Sequence, residues 1–209
     1  MSEIHSKSAL LYGQVRQALQ SGQYLPGQRI DPATLAAEFN TSATPVRLAL
    51  HRLVGEGLIA DHARNGLHVP LPTEIALRDL YDWMERLLLM ACDMSGAAPA
   101  TEVVEQRTLL PMGDDVVAKT WRLFDAIAHA TEHRFLHHAV KQANDRLAPV
   151  RHATQELVGN ANEELSELHR HWQARDIPAL KSSLRTYHER RKQLVPRIVA
   201  ALFDRSIQA

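Results

Sequence analysis

Residues 41–59 read TSATPVRLALHRLVGEGLI, and this stretch decides the fold. Val46, Ala49, Leu50 and Leu53 recur at i, i+3, i+4 and i+7, the spacing of one buried helical face. The pattern predicts a helix that starts within 42–45 and is closed by Gly55 and Gly57. Its other face presents Thr44, Arg47 and His51, with Ser42 at its start. Upstream, Leu11, Val15 and Leu19 stack at four-residue spacing and predict a first helix over about 8–20. Leu25-Pro26-Gly27 makes a turn, after which Asp31 caps a second helix with Pro32 at its first position and Leu35 and Phe39 facing inward. Downstream, Leu58, Ile59 and Ala60 and then Leu67, His68 and Val69 flank a turn built on Asn65-Gly66, which predicts a short two-stranded ribbon.

Three short helices followed by a ribbon describe a winged helix-turn-helix. A helix fits the major groove of DNA, where its first turn offers hydroxyls and amides to phosphate while arginine reaches base edges or backbone. Ser42, Thr44, Arg47 and His51 suit that role. Arg52, and Arg64, Asn65 and Gly66 at the ribbon tip, add candidate phosphate or minor-groove contacts. Spacing alone leaves an ordinary solvated helix face as the alternative.

Residues 41–59 resemble the signature of the GntR family of bacterial transcription regulators. LPGQRIDPATLAAEFN at 25–40 and RNGLHV at 64–69 are similar to that family's upstream and wing motifs in order and spacing. The resemblance implies a DNA-binding domain. It departs from the family pattern where Ala43 and Asn65 replace arginine and Leu48 replaces glutamate, so Arg47 is the retained basic contact. Each lost charge-assisted contact weakens binding and shrinks its salt dependence.

Pro70-Leu71-Pro72-Thr73 forms a stiff connector ending in a helix N-cap, and it divides the chain into 1–71 and 72–209. The second part reads as an antiparallel α-helical bundle, which makes the fold mainly α. A long helix begins at Thr73 and Glu74 and carries Ile75, Leu77, Leu80, Met84, Leu87, Leu88 and Ala91. Further helices are expected near 101–110, 115–131, 133–158, 160–175 and 177–205. The stretches LFDAIAHATEHRFL at 123–136 and EELSELHRHWQARDIPALKSSLRTYH at 163–188 are similar to the FadR-type C-terminal ligand-binding (FCD) domain of GntR regulators.

Many FCD domains hold a divalent metal with one Asp and three His. Carried onto this chain, those ligands fall on Thr120, Phe124, Leu165 and Tyr187. Threonine, phenylalanine and leucine cannot supply the donors such a metal needs, so the resemblance implies a metal-free effector pocket. Met84, Thr120, Phe124, Leu165 and Tyr187 are its expected lining, with Tyr187 as a polar handle. A competing reading remains, because eight of the twelve histidines lie between 129 and 188. Asp125, His129 and His133 share a helix face at four-residue spacing and could form a displaced metal site; His188 sits beside a lost ligand position and could replace it.

Composition narrows the rest. The chain has 209 residues, 45% apolar and 5% aromatic, with 24 Lys and Arg against 24 Asp and Glu. No apolar run nears the roughly 20 residues of a membrane span, no signal-peptide pattern opens the chain, and a lone Cys92 forms no internal disulfide. A cytoplasmic protein is expected. Nucleophile-elbow, phosphate-loop and H-E-x-x-H motifs are missing, so an enzyme is not expected. Trp83, Trp121 and Trp172 recur at core spacing and read as packing residues. The expected protein is a homodimeric transcription regulator, most simply a repressor. It would bind double-stranded operator DNA and an unknown small-molecule effector, without a cofactor or a membrane. The alternatives are a ligand- or metal-binding helical protein with weakened DNA binding, and a metalloenzyme built on the histidine-rich bundle.

Overall fold

The computed structural model describes residues 2–62, 66–95 and 115–208. Helix α1 (Ser2–Gln20) leads through the 25–27 turn to α2 (Pro32–Glu38) and α3 (Ala43–Gly55). Asp31 caps α2 by accepting from the Ala33 and Thr34 amides at 3.3 and 3.2 Å. The Thr34 hydroxyl, then those two amides, hold the Asp31 carboxyl below the usual carboxylate range. The α3 stripe packs as its spacing requires: Val46, Ala49, Leu50 and Leu53 are all buried against Leu11, Val15, Leu19 and Leu35, and Phe39 closes the edge of this core. Each removes apolar surface from water at about 25 cal/mol per Å², which ties α1 to α3 and aims the polar face of α3 outward.

The ribbon is displaced from its expected place. Strands β1 (Ala60–His62) and β2 (Gly66–His68) pair antiparallel, with Ala60 opposite His68 and His62 opposite Gly66. Leu58 and Ile59 lie outside the strand because both sink into the core of the three helices. β2 also pairs on its far side with the segment before α2: the Ile30 amide donates to Leu67 O at 2.8 Å, and the Val69 amide donates to Gln28 O at 2.9 Å. Sequence periodicity gave no sign of that third edge.

The connector then enters α4 (Glu74–Ser95), whose first turn is capped by the Thr73 hydroxyl accepting from the Ala76 amide at 3.2 Å. Helices α5 (Val116–His129), α6 (Arg134–Ala153), α7 (Ala161–Gln173) and α8 (Ile177–Gln208) complete the bundle, with one 3₁₀ turn at Gln155–Leu157. The helix expected at 101–110 lies outside the described residues. A second core gathers Leu77, Met84, Phe124, Leu147, Leu168 and Leu184, separate from the first.

Two expectations for side chains are corrected. Ile75 is exposed, and Tyr81 takes the inward position on that helix, since the α4 stripe runs through 77, 81, 84 and 88. Of the three tryptophans only Trp172 is a core residue. Trp83 is 51% exposed on the outer face of α4, and Trp121 uses its indole N–H in a hydrogen bond described below.

Candidate nucleic-acid interface and effector cavity

On α3 the side chains of Thr44, Arg47, Leu48 and His51 are exposed and share one face, with exposed Ser42 just ahead of the helix. Ser42 takes the N-cap position in extended conformation, yet its hydroxyl makes no capping bond. The hydroxyl and the first-turn amides of α3 are thus free to meet an acceptor such as a phosphate oxygen. Leu48, 49% exposed at the centre of this face, is a residue the motif comparison marked only as a departure. An exposed leucine among hydrophilic neighbours is a chemical match for a thymine methyl.

Arg52 lies at the margin of this face and is already engaged. Its guanidinium stacks 3.9 Å from the Tyr12 ring centre and pairs with Glu56 at 3.3 Å. Gly66 opens β2 at φ 75°, a left-handed conformation that costs glycine little. Arg64 and Asn65 lie outside the described residues.

The two halves of the molecule meet through polar contacts centred on Asp145 of α6, whose side chain is only 2% exposed. Its Oδ2 accepts from Arg16 Nε at 2.8 Å and also from Arg16 Nη2, while its Oδ1 accepts from Gln20 Nε2 at 2.5 Å and Trp121 Nε1 at 2.8 Å. Nearby, His152 Nε2 meets Gln20 O at 2.8 Å and Arg146 Nε donates to Gly57 O at 3.3 Å. Gly57 has φ 70°, a left-handed conformation that favours glycine, and the flexible end of Arg146 packs into the space beside it. A cavity of about 360 Å³ opens beside this junction, lined by Leu58, Pro70, Leu71, Ala76, Arg146 and Pro149 among others. Sequence reasoning missed it because its walls come from both halves.

The expected effector-pocket residues gather inside the bundle. Met84, Thr120, Phe124, Leu165 and Tyr187 are all buried, but they do not line one space. Thr120 and Tyr187 line a cavity of about 40 Å³ together with Tyr81, Arg151, Arg191 and Ile198. Met84, Phe124 and Leu165 instead pack as core. Phe124 meets the Tyr187 ring edge-on at 5.4 Å and stacks at 5.9 Å on His188.

The residues here do not fit a divalent cation. The Thr120 hydroxyl is used on Val116 O at 2.7 Å, and Phe124 and Leu165 carry no donor atom. Two guanidinium groups occupy the neighbourhood, Arg151 at 5.4 Å over the Phe124 ring and Arg191 at 3.7 Å over the Tyr187 ring. His188 Nδ1 donates to Leu184 O at 2.7 Å, which leaves Nε2 buried without a partner among the described residues. Burial, reinforced by Arg151, Arg191 and Lys192, pushes the His188 imidazole down to about 3, so it is neutral at physiological pH. The displaced set does not assemble either. Asp125 pairs with His137 at 2.7 Å, and His133 spends Nδ1 capping α6. Among the described residues, no three His, Cys, Asp or Glu side chains form a metal-binding group.

The exposed α3 face, the three-helix core and the ribbon form one unit, and residues 7–69 match the model of bacterial regulatory proteins of the gntR family. The N-terminal domain is a GntR-like winged helix-turn-helix. Over this GntR-like part the chain is 31% identical across 70 residues to the uncharacterized HTH-type transcriptional regulator YdhC of Bacillus subtilis, covering 34% of this chain and 31% of that protein. It is 39% identical across 62 residues to the Nta operon transcriptional regulator of Aminobacter aminovorans, covering 30% of each. The matched region thus spans less than a third of these curated relatives. Likeness in fold extends further. The Escherichia coli McbR/YncC structure superposes with a TM-score of 0.71 at 19% identity, covering 91% of this chain and 97% of that one. A GntR transcriptional regulator structure from Rhodococcus sp. RHA1 gives 0.73 at 18% identity, with the same coverage. The GntR-like winged helix is therefore joined to a helical domain of an architecture already seen beside it.

Proposed function

We propose that this chain is a DNA-binding transcription regulator of the GntR type, most simply a repressor, with working units at 1–71 and 72–209. The observation that carries the reading is the solvent-facing row Thr44, Arg47, Leu48 and His51 on a helix whose other side is locked into the domain core. In this reading α3 lies in the major groove. Ser42 and Thr44 contact phosphate, Arg47 and His51 contact base edges or backbone, and Leu48 contacts a thymine methyl. Arg52 acts chiefly to brace α1 through Tyr12, while Arg64, Asn65 and Gly66 approach the flanking minor groove or backbone. The helical unit is FCD-like and senses a small metabolite, without a metal and without catalysis, in a cytoplasmic protein. No helix among the described residues is long and apolar enough to cross a membrane.

Two copies would bind a pseudo-palindromic operator. Ile75, Trp83, Met90 and Met94 are all exposed along one side of α4, and this stripe is the proposed contact between subunits. Trp83→Asp is expected to shift the protein toward monomer, read by light scattering at micromolar concentration; an unchanged dimer mass would place the contact elsewhere. The proposed route between effector and DNA starts at Arg151, whose Nη1 donates to Asn144 Oδ1 at 2.7 Å. Asn144 Nδ2 donates to Trp121 O at 2.8 Å, and Trp121 in turn donates to Asp145, the residue gripping α1. A ligand acts through such a route only as far as it binds two arrangements unequally.

The test is fluorescence-anisotropy titration of the full chain against the DNA upstream of its own gene. Binding is expected to be at least about 10³-fold tighter than to scrambled duplex and to weaken steeply with salt. Equal, salt-insensitive affinity for both duplexes would contradict the reading and favour a ligand-binding helical protein.

A further inference from the structure

Independently of any effector inside the bundle, we infer that the cavity at the domain junction binds a neutral, mostly apolar molecule carrying one hydroxyl group, an alkylphenol in shape and polarity. Its volume of about 360 Å³ lies in the range of small-molecule sites and gives room for roughly a dozen heavy atoms at about 30 Å³ each. Leu58 and Val69 of the winged helix supply one part of the wall, and Leu77 and Leu80 of α4 with Val150 of α6 supply another. The stiff connector Pro70-Leu71-Pro72 joins the two parts. An apolar ring or short alkyl chain is the natural filling for such a lining.

One acceptor in the wall is left short of a donor. Pro149 lies inside α6 and has no N–H, so the Asp145 carbonyl oxygen, four residues earlier, lacks the amide that would close its helical hydrogen bond. Asp145, Arg146, Pro149 and Val150 all line the cavity, the spacing of one helix face, so this gap in the α6 ladder lies on the cavity side. A hydroxyl donated there would supply the missing bond, and in apolar surroundings such a bond is stronger than in water. The side-chain charges make no comparable demand. The Asp145 carboxylate is taken by Arg16, Gln20 and Trp121, while Arg146 is exposed and donates to Gly57 O. An ionised occupant would leave water without gaining an unpaired buried counter-charge, so a neutral one fits.

The origin of the walls gives the site a consequence. A molecule seated there touches Leu58, just past the end of α3, and α6 of the bundle at the same time. It therefore binds one relative placement of the two units better than others and favours that placement.

The test uses the full chain with 4-ethylphenol as the probe and 4-ethylanisole as its methyl ether, which cannot donate. Calorimetry is expected to show saturable 4-ethylphenol binding between about 10 µM and 1 mM, as befits a ligand of about nine heavy atoms, and at least about fivefold weaker binding of the ether. In methyl NMR spectra 4-ethylphenol is expected to shift Leu58, Val69 and Val150 but not Val117 and Ile198, which line the cavity inside the bundle. Ala76→Trp, at an exposed position in the wall, is expected to fill the space and weaken 4-ethylphenol at least about tenfold. Pro149→Ala returns an amide to the Asp145 carbonyl and is expected to erase the preference for phenol over ether. No saturation by about 10 mM, equal binding of phenol and ether, or shifts confined to the bundle cavity would each overturn the site. So would a folded Ala76→Trp that binds as before, or a folded Pro149→Ala that keeps the preference. Should either variant fail to fold, the NMR pattern and the phenol–ether contrast on the natural chain decide alone. The anisotropy titration run in parallel keeps the readings apart: operator binding without 4-ethylphenol binding removes this site and leaves the regulator standing.

Discussion

Asp145→Ala is expected to lower the unfolding free energy by about 2–4 kcal/mol, a fall of roughly 5–15 °C in Tm for a chain of this length. The carboxylate accepts four hydrogen bonds from three side chains, two of them on α1. Its removal takes from Arg16 its direct ion-pair partner, leaving the Tyr12 hydroxyl at 3.3 Å and Glu56 beyond it, and leaves the Trp121 indole N–H unmatched. Arg16 keeps 19% of its side chain in contact with solvent, which tempers the loss below that of a fully buried ion pair. Asp145→Asn retains acceptance from Gln20 or Trp121 but not the charge, so about half the loss is expected. Urea unfolding of the three proteins reads both numbers. A change below about 0.5 kcal/mol for the alanine variant would mean that the halves are held by something other than this carboxylate.

Acidification provides the second large effect. His188 is neutral in the native bundle, with its pKa pushed from 6.5 down to about 3, whereas in the unfolded chain it titrates normally. Between those two values the unfolded state binds a proton that the native state refuses, so stability falls as pH drops below 6.5. The slope is about 1.4 kcal/mol per pH unit, and from pH 7 to pH 5 the loss is about 2 kcal/mol. Above pH 7 the residue contributes no pH dependence, because both states are neutral. His188→Phe keeps a ring of similar volume against Phe124 and Tyr187 but cannot titrate. It is expected to lose about 2 kcal/mol less than the natural chain over the same interval, whatever its stability at pH 7. Identical losses in the two proteins would show that His188 reaches water and protonates in place.

The winged helix was legible because its cores are local. Val46, Ala49, Leu50 and Leu53 announce a helix by spacing, and the neighbours they bury against lie within 42 residues in sequence. The ribbon was misplaced by two residues since Leu58 and Ile59 satisfy a strand pattern and a core position equally well. Trp83 misled by residue type alone: it follows Tyr81 by two positions and precedes Met84 by one, about 200° and 100° round the helix, and so falls off the buried stripe. In the bundle the family comparison located four positions that did become buried, but not the groups that matter electrostatically. Arg151 stands seven residues after Asn144 and four after Leu147, a charged side chain on an apolar stripe. That irregularity could have been noticed. That no carboxylate among the described residues pairs with it could not, because pairing depends on Glu164 being claimed from another helix. The Asp145 junction is further still from legible, since Arg16 and Asp145 are 129 residues apart.

The outer face of α3 carries the proposed DNA contact, and the most direct measurement is the salt dependence of operator affinity for Arg47→Ala beside Arg170→Ala, an exposed arginine on α7. Arg47→Ala is predicted to weaken binding by about 1–3 kcal/mol and to flatten the log–log salt slope by about one, while Arg170→Ala matches the natural chain. Unchanged affinity and slope for a folded Arg47→Ala protein would contradict the placement of α3 in the groove.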